Sequence, residues 1–145
     1  EALYMEGFAA LESEDYDTAE YAFKALREKF PDFKFTPGGV EGLGTIRELH
    51  DDFAGAIVIY KDIQATWPDS FAARRQPLNI GRCHEASGNP EEAMTAYQNQ
   101  LQIFPGSNVA LHAQQKLDEL TANHPALAQA PEVVASPTAD ASTTN

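Results

Sequence analysis

The chain of 145 residues is about the length of one domain, and its 43% hydrophobic content is ordinary for a protein that buries a core. Its formal net charge of −12 argues against nucleic acid as a partner, because phosphate binding needs clustered lysine and arginine. No apolar run approaches the roughly 20 residues of a membrane span, so this segment is not expected to insert into a membrane. The single cysteine, Cys83, excludes an intrachain disulfide and a paired-cysteine metal site.

The sequence repeats itself with a period of 37 residues. The matching columns are Gly7, Gly44 and Gly81; Asp15, Asp52 and Asn89; Ala19, Ala56 and Ala93; Phe23, Tyr60 and Tyr97; Phe30, Trp67 and Phe104; and Pro31, Pro68 and Pro105. Aspartate and asparagine are good helix N-caps, and proline ends a helix. Glycine and alanine at matched positions let two antiparallel helices approach closely. Each copy therefore predicts a helix, a short capped turn and a second helix.

In chain order, these hairpins are predicted over residues 2–32, 38–69 and 75–106, with turns near Glu14, Asp51 and Gly88. The glycine-rich stretch after the first hairpin predicts a late start for the next helix. Pro77 predicts a kink or a delayed start in the third hairpin. A last helix over residues 107–120 is expected to cap the array. Residues 121–145 are rich in Ala, Pro, Ser and Thr, which predicts a disordered tail or linker with at most a weak helix over residues 125–129.

The glycines after Leu43 and Ile80, the alanine and aromatic columns and the terminal prolines resemble tetratricopeptide repeats, whose usual period is 34 residues. The longer period and the endings FPDF, WPDS and FPGS resemble repeats of bacterial envelope lipoproteins linked to outer-membrane assembly or the Tol–Pal system. The resemblance covers residues 2–120. It implies an all-α, right-handed α-solenoid of three helix hairpins plus a C-terminal capping helix.

The same resemblance implies a protein-interaction module, with a periplasmic or envelope location favoured over a cytoplasmic one. Because the sequence begins at Glu1, we expect a processed product or a domain, with any signal peptide or lipid anchor upstream. An adaptor that binds a partner peptide or helix is the first hypothesis. A structural subunit of a permanent complex or a homo-oligomer is the second, which a large exposed apolar patch at Tyr4 and Phe8 would favour.

The stretch GRCHEASGNPEEA places Cys83 and His84 near two glutamates, but each residue is explained by helix packing, a bend and a helix start. Nothing in the sequence orients a base toward the thiol, so catalysis is not predicted. His50, Asp51 and Asp52 are adjacent in sequence and do not converge on a metal. The chain is therefore predicted to be neither an enzyme nor a protein with a metal or cofactor, and Cys83 is predicted to be buried and inert.

In tetratricopeptide-like arrays the first helix of each hairpin lines a concave groove that binds peptides. By spacing, the predicted groove residues are Tyr4, Phe8, Leu11, Glu41, Thr45, Glu48, Arg75, Leu78, Arg82, Glu85, His112, Gln115 and Glu119. Arg75 and Arg82 share one helical face, and arginine grips a carboxylate with paired hydrogen bonds. Either these arginines bind an acidic partner, or they pair with Glu41, Glu48 or Glu85 on neighbouring helices.

Overall fold

The computed structural model describes residues 1–129, which contain helices and no strand. The helices are α1 (Ala2–Glu12), α2 (Tyr16–Lys29), α3 (Thr36–Leu49), α4 (Phe53–Thr66), α5 (Phe71–Ala86), α6 (Pro90–Ile103) and α7 (Asn108–Asn123), followed by a 3₁₀ turn (Pro125–Gln129). Each helix packs against the next one in the chain, and α1, α3, α5 and α7 also contact one another in series. The first helices thus form one layer and the second helices another, which confirms the predicted solenoid of three hairpins and a capping helix.

The three hairpin turns use a left-handed backbone at one column of the repeat. Glu14, Asp51 and Gly88 have φ values of 61°, 57° and 75°, each just after the first helix of its hairpin. The next residue begins the second helix: Asp15 accepts a hydrogen bond from the N–H of Thr18 at 3.2 Å, and Asp52 does so from Gly55 at 2.9 Å. The predicted turns and these two caps are confirmed, whereas the third N-cap makes no side-chain cap bond.

The glycine column lets aromatic rings of the second helices lie against the backbone of the first helices. A Cβ added at Gly81 would clash with the ring of Tyr97, and Gly44 and Tyr60 form the same pair one repeat earlier. Both rings are fully buried. Close packing of the two helices of each hairpin therefore depends on the absence of a side chain at this column, as the sequence predicts.

Two helices begin earlier than predicted. Helix α3 starts at Thr36 rather than 38, so the expectation of a late start after the glycine-rich stretch is wrong. Gly39 and Gly42 are accommodated in α3 because the side chains of Leu26 and Phe23 pack directly against their backbone, in the space that a Cβ atom would fill. Helix α5 starts at Phe71 rather than 75, because the Oγ of Ser70 caps it by accepting from the N–H of Ala73 at 3.0 Å.

The predicted boundary between the folded part and the tail is also wrong. Helix α7 continues to Asn123, and residues 125–129 form a 3₁₀ turn. The side chain of Leu127 packs against the core cluster that contains Leu120, so one apolar side chain anchors this stretch to the folded part. The predicted disorder of residues 130–145 lies outside the described residues. No helix within residues 1–129 is long and apolar enough to cross a membrane.

Pro77 lies inside α5 and interrupts the backbone hydrogen bonds of that helix. A side chain of the neighbouring helix α6 binds the backbone groups that are left free. The fully buried Gln100 of α6 accepts from the N–H of Leu78 at 3.1 Å and donates from Nε2 to the carbonyl of Arg74 at 2.8 Å. A regular α-helix would join these two backbone groups to each other. One side-chain amide therefore replaces a helix bond and locks α5 to α6.

Cys83 is buried, as predicted, in the core cluster around Tyr60 and Ile63. Burial raises the pKa of its thiol to about 12, and the nearby charge of Glu48 acts in the same direction. Because the thiolate is the reactive form, we expect a disulfide reagent to label native Cys83 at least about a hundredfold more slowly than the urea-unfolded chain. The absorbance of the released thiol reports both rates, and equal rates would show that Cys83 is reactive.

Candidate functional site

The predicted groove residues lie on the layer of first helices, but one of them is not available to a partner. Tyr4, Phe8 and Leu11 lie on α1, Glu41, Thr45 and Glu48 on α3, Arg75, Arg82 and Glu85 on α5, and His112, Gln115 and Glu119 on α7. Those on α7 are exposed, and the others are half-buried. Leu78, in contrast, is only 7% exposed, because its side chain packs with Tyr97 and Leu120 in the core.

Arg75 and Arg82 are held by carboxylates of α3. The Nε of Arg75 donates to both oxygens of Glu41, at 2.9 and 3.0 Å, and its Nη2 also contacts that carboxylate. The Nη2 of Arg82 donates to Glu48 at 2.8 and 3.0 Å. Burial disfavours the charged guanidinium groups, yet the carboxylates raise the pKa of both arginines overall. The pairing across helices that the sequence analysis left open is therefore present.

Asn79 joins the two ion pairs into one network. Its Nδ2 donates to Glu41 at 2.9 Å, and its Oδ1 accepts from the Nη1 of Arg82 at 2.9 Å. Asn79 is 9% exposed and lies behind the groove face of α5. The network holds both guanidinium groups by hydrogen bonds, and each of them is compensated by a carboxylate of α3.

Acid–tyrosine pairs spaced twelve residues apart tie the first helix of a hairpin to the second. The hydroxyl of Tyr60 donates to Glu48, and that of Tyr97 donates to Glu85 at 2.6 Å. Burial, followed by these hydrogen bonds, raises the pKa of both tyrosines. In the first repeat, Leu11 stands at the position that Glu48 and Glu85 occupy in the other two. Glu48 and Glu85 therefore help to hold the two helices of their hairpins together. The recurrence of a glutamate twelve residues before a tyrosine could have indicated this role from the sequence.

An aromatic cleft opens where the N-terminal ends of α3 and α5 meet α1. Its volume is about 310 Å³, and its lining includes Tyr4, Lys34, Phe35, Gly38, Phe71 and Arg75. The rings of Tyr4 and Phe35 are 5.4 Å apart, and Lys34 Nζ lies 4.6 Å from the Phe35 ring centre. The guanidinium carbon of Arg75 lies 5.3 Å from the ring centre of Phe71.

Sequence reasoning identified Tyr4 and Arg75 but missed Phe35 and Phe71. It placed both phenylalanines in loops, because it started the two helices at 38 and 75. In the structure Tyr4 of α1 and Arg75 of α5 line the same cleft. Only the observed helix starts bring these rings together.

The Cys–His–Glu stretch is a helix–turn–helix junction in the structure. Cys83 and His84 lie in the last turns of α5, and Glu91 and Glu92 lie in the first turn of α6. Within residues 1–129 no group of three or more His, Cys, Asp or Glu side chains could hold a metal ion. The arrangement thus has the structural explanation that the sequence analysis preferred.

The tetratricopeptide-repeat family model matches residues 1–32 and 78–107, and no curated protein sequence matches the chain significantly. Solved structures with the same fold include the following three. PcrH in complex with the chaperone binding region of PopD is 21% identical, with a TM-score of 0.70, over 84% of this chain and 90% of PcrH. The type III secretion translocator chaperone SycD of Yersinia enterocolitica is 18% identical, with a TM-score of 0.70, over 84% of this chain and 83% of SycD.

A tetratricopeptide repeat protein from Parabacteroides merdae is 19% identical, with a TM-score of 0.66, over 84% of this chain and 45% of that one. At these identities the likeness concerns the fold. The repeat columns, the hairpin packing and the two matched segments agree with it. Together they show that this chain is similar to tetratricopeptide-repeat proteins in two of its repeats and in fold.

Proposed function

We propose that the chain is a non-catalytic protein-interaction module that binds a peptide or a helix of a partner protein along the face of α1, α3, α5 and α7. The observation that carries the proposal is the aromatic cleft on this face, where Phe35 and Phe71 are 41% and 59% exposed. Exposed aromatic side chains held on a rigid scaffold are typical anchors of protein interfaces. PcrH, which shares the fold, has been solved with the chaperone binding region of PopD.

In this proposal Arg75 and Arg82 are not free charges that bind an acidic partner. Their hydrogen bonds to Glu41 and Glu48 already use much of their donor capacity, so they shape the groove rather than offer it a free charge. The partner would then be recognised by apolar anchors and by the outer edges of the paired guanidinium groups. His112 and Gln115 on α7 would border the opposite end of the binding face.

The alternative of a structural subunit in a homo-oligomer or a permanent complex has weaker support. Tyr4 and Phe8 are half-buried and pack against each other with ring centres 4.8 Å apart, so they do not form a large free patch. An envelope location is part of the proposal as well. It is supported by the period of 37 residues and by the endings FPDF, WPDS and FPGS.

The test is a pull-down of partners with the chain as bait, read by mass spectrometry. Gln115→Trp places a bulky ring on the exposed groove face of α7, and Thr95→Trp places the same ring on the exposed surface of α6. We expect the first change to remove the recovered partner and the second to leave it. Equal recovery by both variants would contradict groove binding. A stable homo-oligomer in size-exclusion chromatography would favour the structural alternative.

A further inference from the structure

We infer that the aromatic cleft binds an acidic segment of the partner, in which a bulky apolar side chain is flanked by carboxylates. This inference rests on the proposed function and specifies the chemistry of its partner. Neither the family match nor the similar structures assign such a specificity to this chain.

The apolar part of the cleft suits a single large side chain. Tyr4, Phe35 and Phe71 come from three separate helix starts and surround a volume of about 310 Å³. This volume is at the small end of the ~300–1,000 Å³ range of ligand pockets. The two phenylalanine rings leave substantial apolar surface in water, and covering it would favour association.

The charge of the cleft is opposite to that of the whole chain. Its lining contains Lys34 and Arg75 and no carboxylate, although the chain carries a net charge of −12. Arg75 is compensated by Glu41, but no carboxylate of residues 1–129 forms an ion pair with Lys34. An acidic peptide is repelled by the protein as a whole and attracted at this cleft, which gives the cleft selectivity as well as affinity.

Contacts behind the rings hold the cleft in shape before any partner arrives. Arg75 is fixed by two hydrogen bonds to Glu41, and Ser70 caps the helix that carries Phe71. The indole N–H of Trp67 donates to the carbonyl of Pro31 at 3.2 Å, which ties the segment before α3 to the end of α4. A preformed site loses little entropy on binding.

The experiment compares three acetylated peptides, EFLDE, QFLNQ and KFLKK, by NMR titration of the ¹⁵N-labelled chain. We expect EFLDE to shift the amides of residues 34–38 and 70–75 and to bind at least tenfold more tightly than KFLKK, with an intermediate affinity for QFLNQ. Added salt should weaken the binding of EFLDE and leave that of QFLNQ nearly unchanged. Equal affinities for the three peptides, or shifts confined to other residues, would overturn the inference.

Variants separate this inference from the proposed function. We expect Lys34→Glu and Phe71→Ala each to weaken EFLDE binding at least fivefold. The matched changes Lys61→Glu and Tyr21→Ala, at exposed positions of the second-helix layer, should have no effect. A natural partner that is lost with Gln115→Trp but retained by both cleft variants would overturn the cleft inference and leave the proposed function standing. Failure to recover any partner would overturn the proposed function itself.

Discussion

Replacing Gln100 by leucine is expected to lower the free energy of unfolding by about 3 kcal/mol, because each hydrogen-bonding group left unpaired in the interior costs roughly 1–3 kcal/mol. Leucine keeps the buried apolar contacts but can neither accept from the N–H of Leu78 nor donate to the carbonyl of Arg74. Pro77 has no N–H that could donate to the carbonyl of Arg74 in place of the amide. The loss therefore reflects hydrogen bonding rather than a cavity.

Urea unfolding followed by circular dichroism measures the effect. Gln102→Leu, on the exposed surface of the same helix, is the matched control and should change stability by less than about 0.5 kcal/mol. In the double variant Pro77→Ala and Gln100→Leu, α5 can restore its own hydrogen bonds, so we expect part of the stability to return. A Gln100→Leu variant as stable as the original chain would show that the amide bridge contributes nothing.

Replacing Arg75 and Arg82 together by methionine is expected to cost about 4 kcal/mol, since a hydrogen-bonded charge pair contributes roughly 1.5–3 kcal/mol. The change leaves Glu41 and Glu48, which are only 15% and 17% exposed, without their cationic donors. Because the two arginine side chains are 35% and 38% exposed, solvent screening holds the cost below that of a fully buried pair.

The melting temperature should fall by roughly 15 °C in the double variant, at about 3–4 °C per kcal/mol for a chain of this size. Lys34→Met is the control, because Lys34 forms no ion pair with a carboxylate of residues 1–129. This change should alter the melting temperature little. A double-mutant cycle of Arg82→Met with Glu48→Gln isolates the coupling between the two side chains. A fall of only a few degrees would instead favour the arginines as free partner-binding groups.

The repeat columns predicted most of the fold because each column reflects a packing or backbone requirement within a single hairpin. A glycine under an aromatic ring, an acid at a helix start and a left-handed turn residue each act within one hairpin, so they recur at the fixed period of 37 residues. The start of α3 was missed for a related reason. Gly39 and Gly42 weaken a helix by intrinsic propensity, but the packing of Leu26 and Phe23 against them outweighs that preference.

Features that depend on two helices at once were harder to predict. The spacing of Arg75 and Glu41 allows an ion pair, yet only the crossing of α5 and α3 decides that they form one. The bridge from Gln100 to α5 depends in the same way on how α6 meets the break at Pro77. The cleft residues Phe35 and Phe71 could not be recognised, because an error of a few residues in a helix start moves a side chain from a loop to a helix end.

The left-handed turn residues offer a route to a more heat-resistant scaffold. Gly88 adopts its φ of 75° without steric cost, but Glu14 holds a φ of 61° in the equivalent turn. That conformation costs an ordinary side chain about 1–2 kcal/mol, and asparagine tolerates it better than glutamate does. Glu14 is exposed and lies away from the groove face, so Glu14→Asn would improve the thermal tolerance of an engineered binder without redesign of its recognition surface.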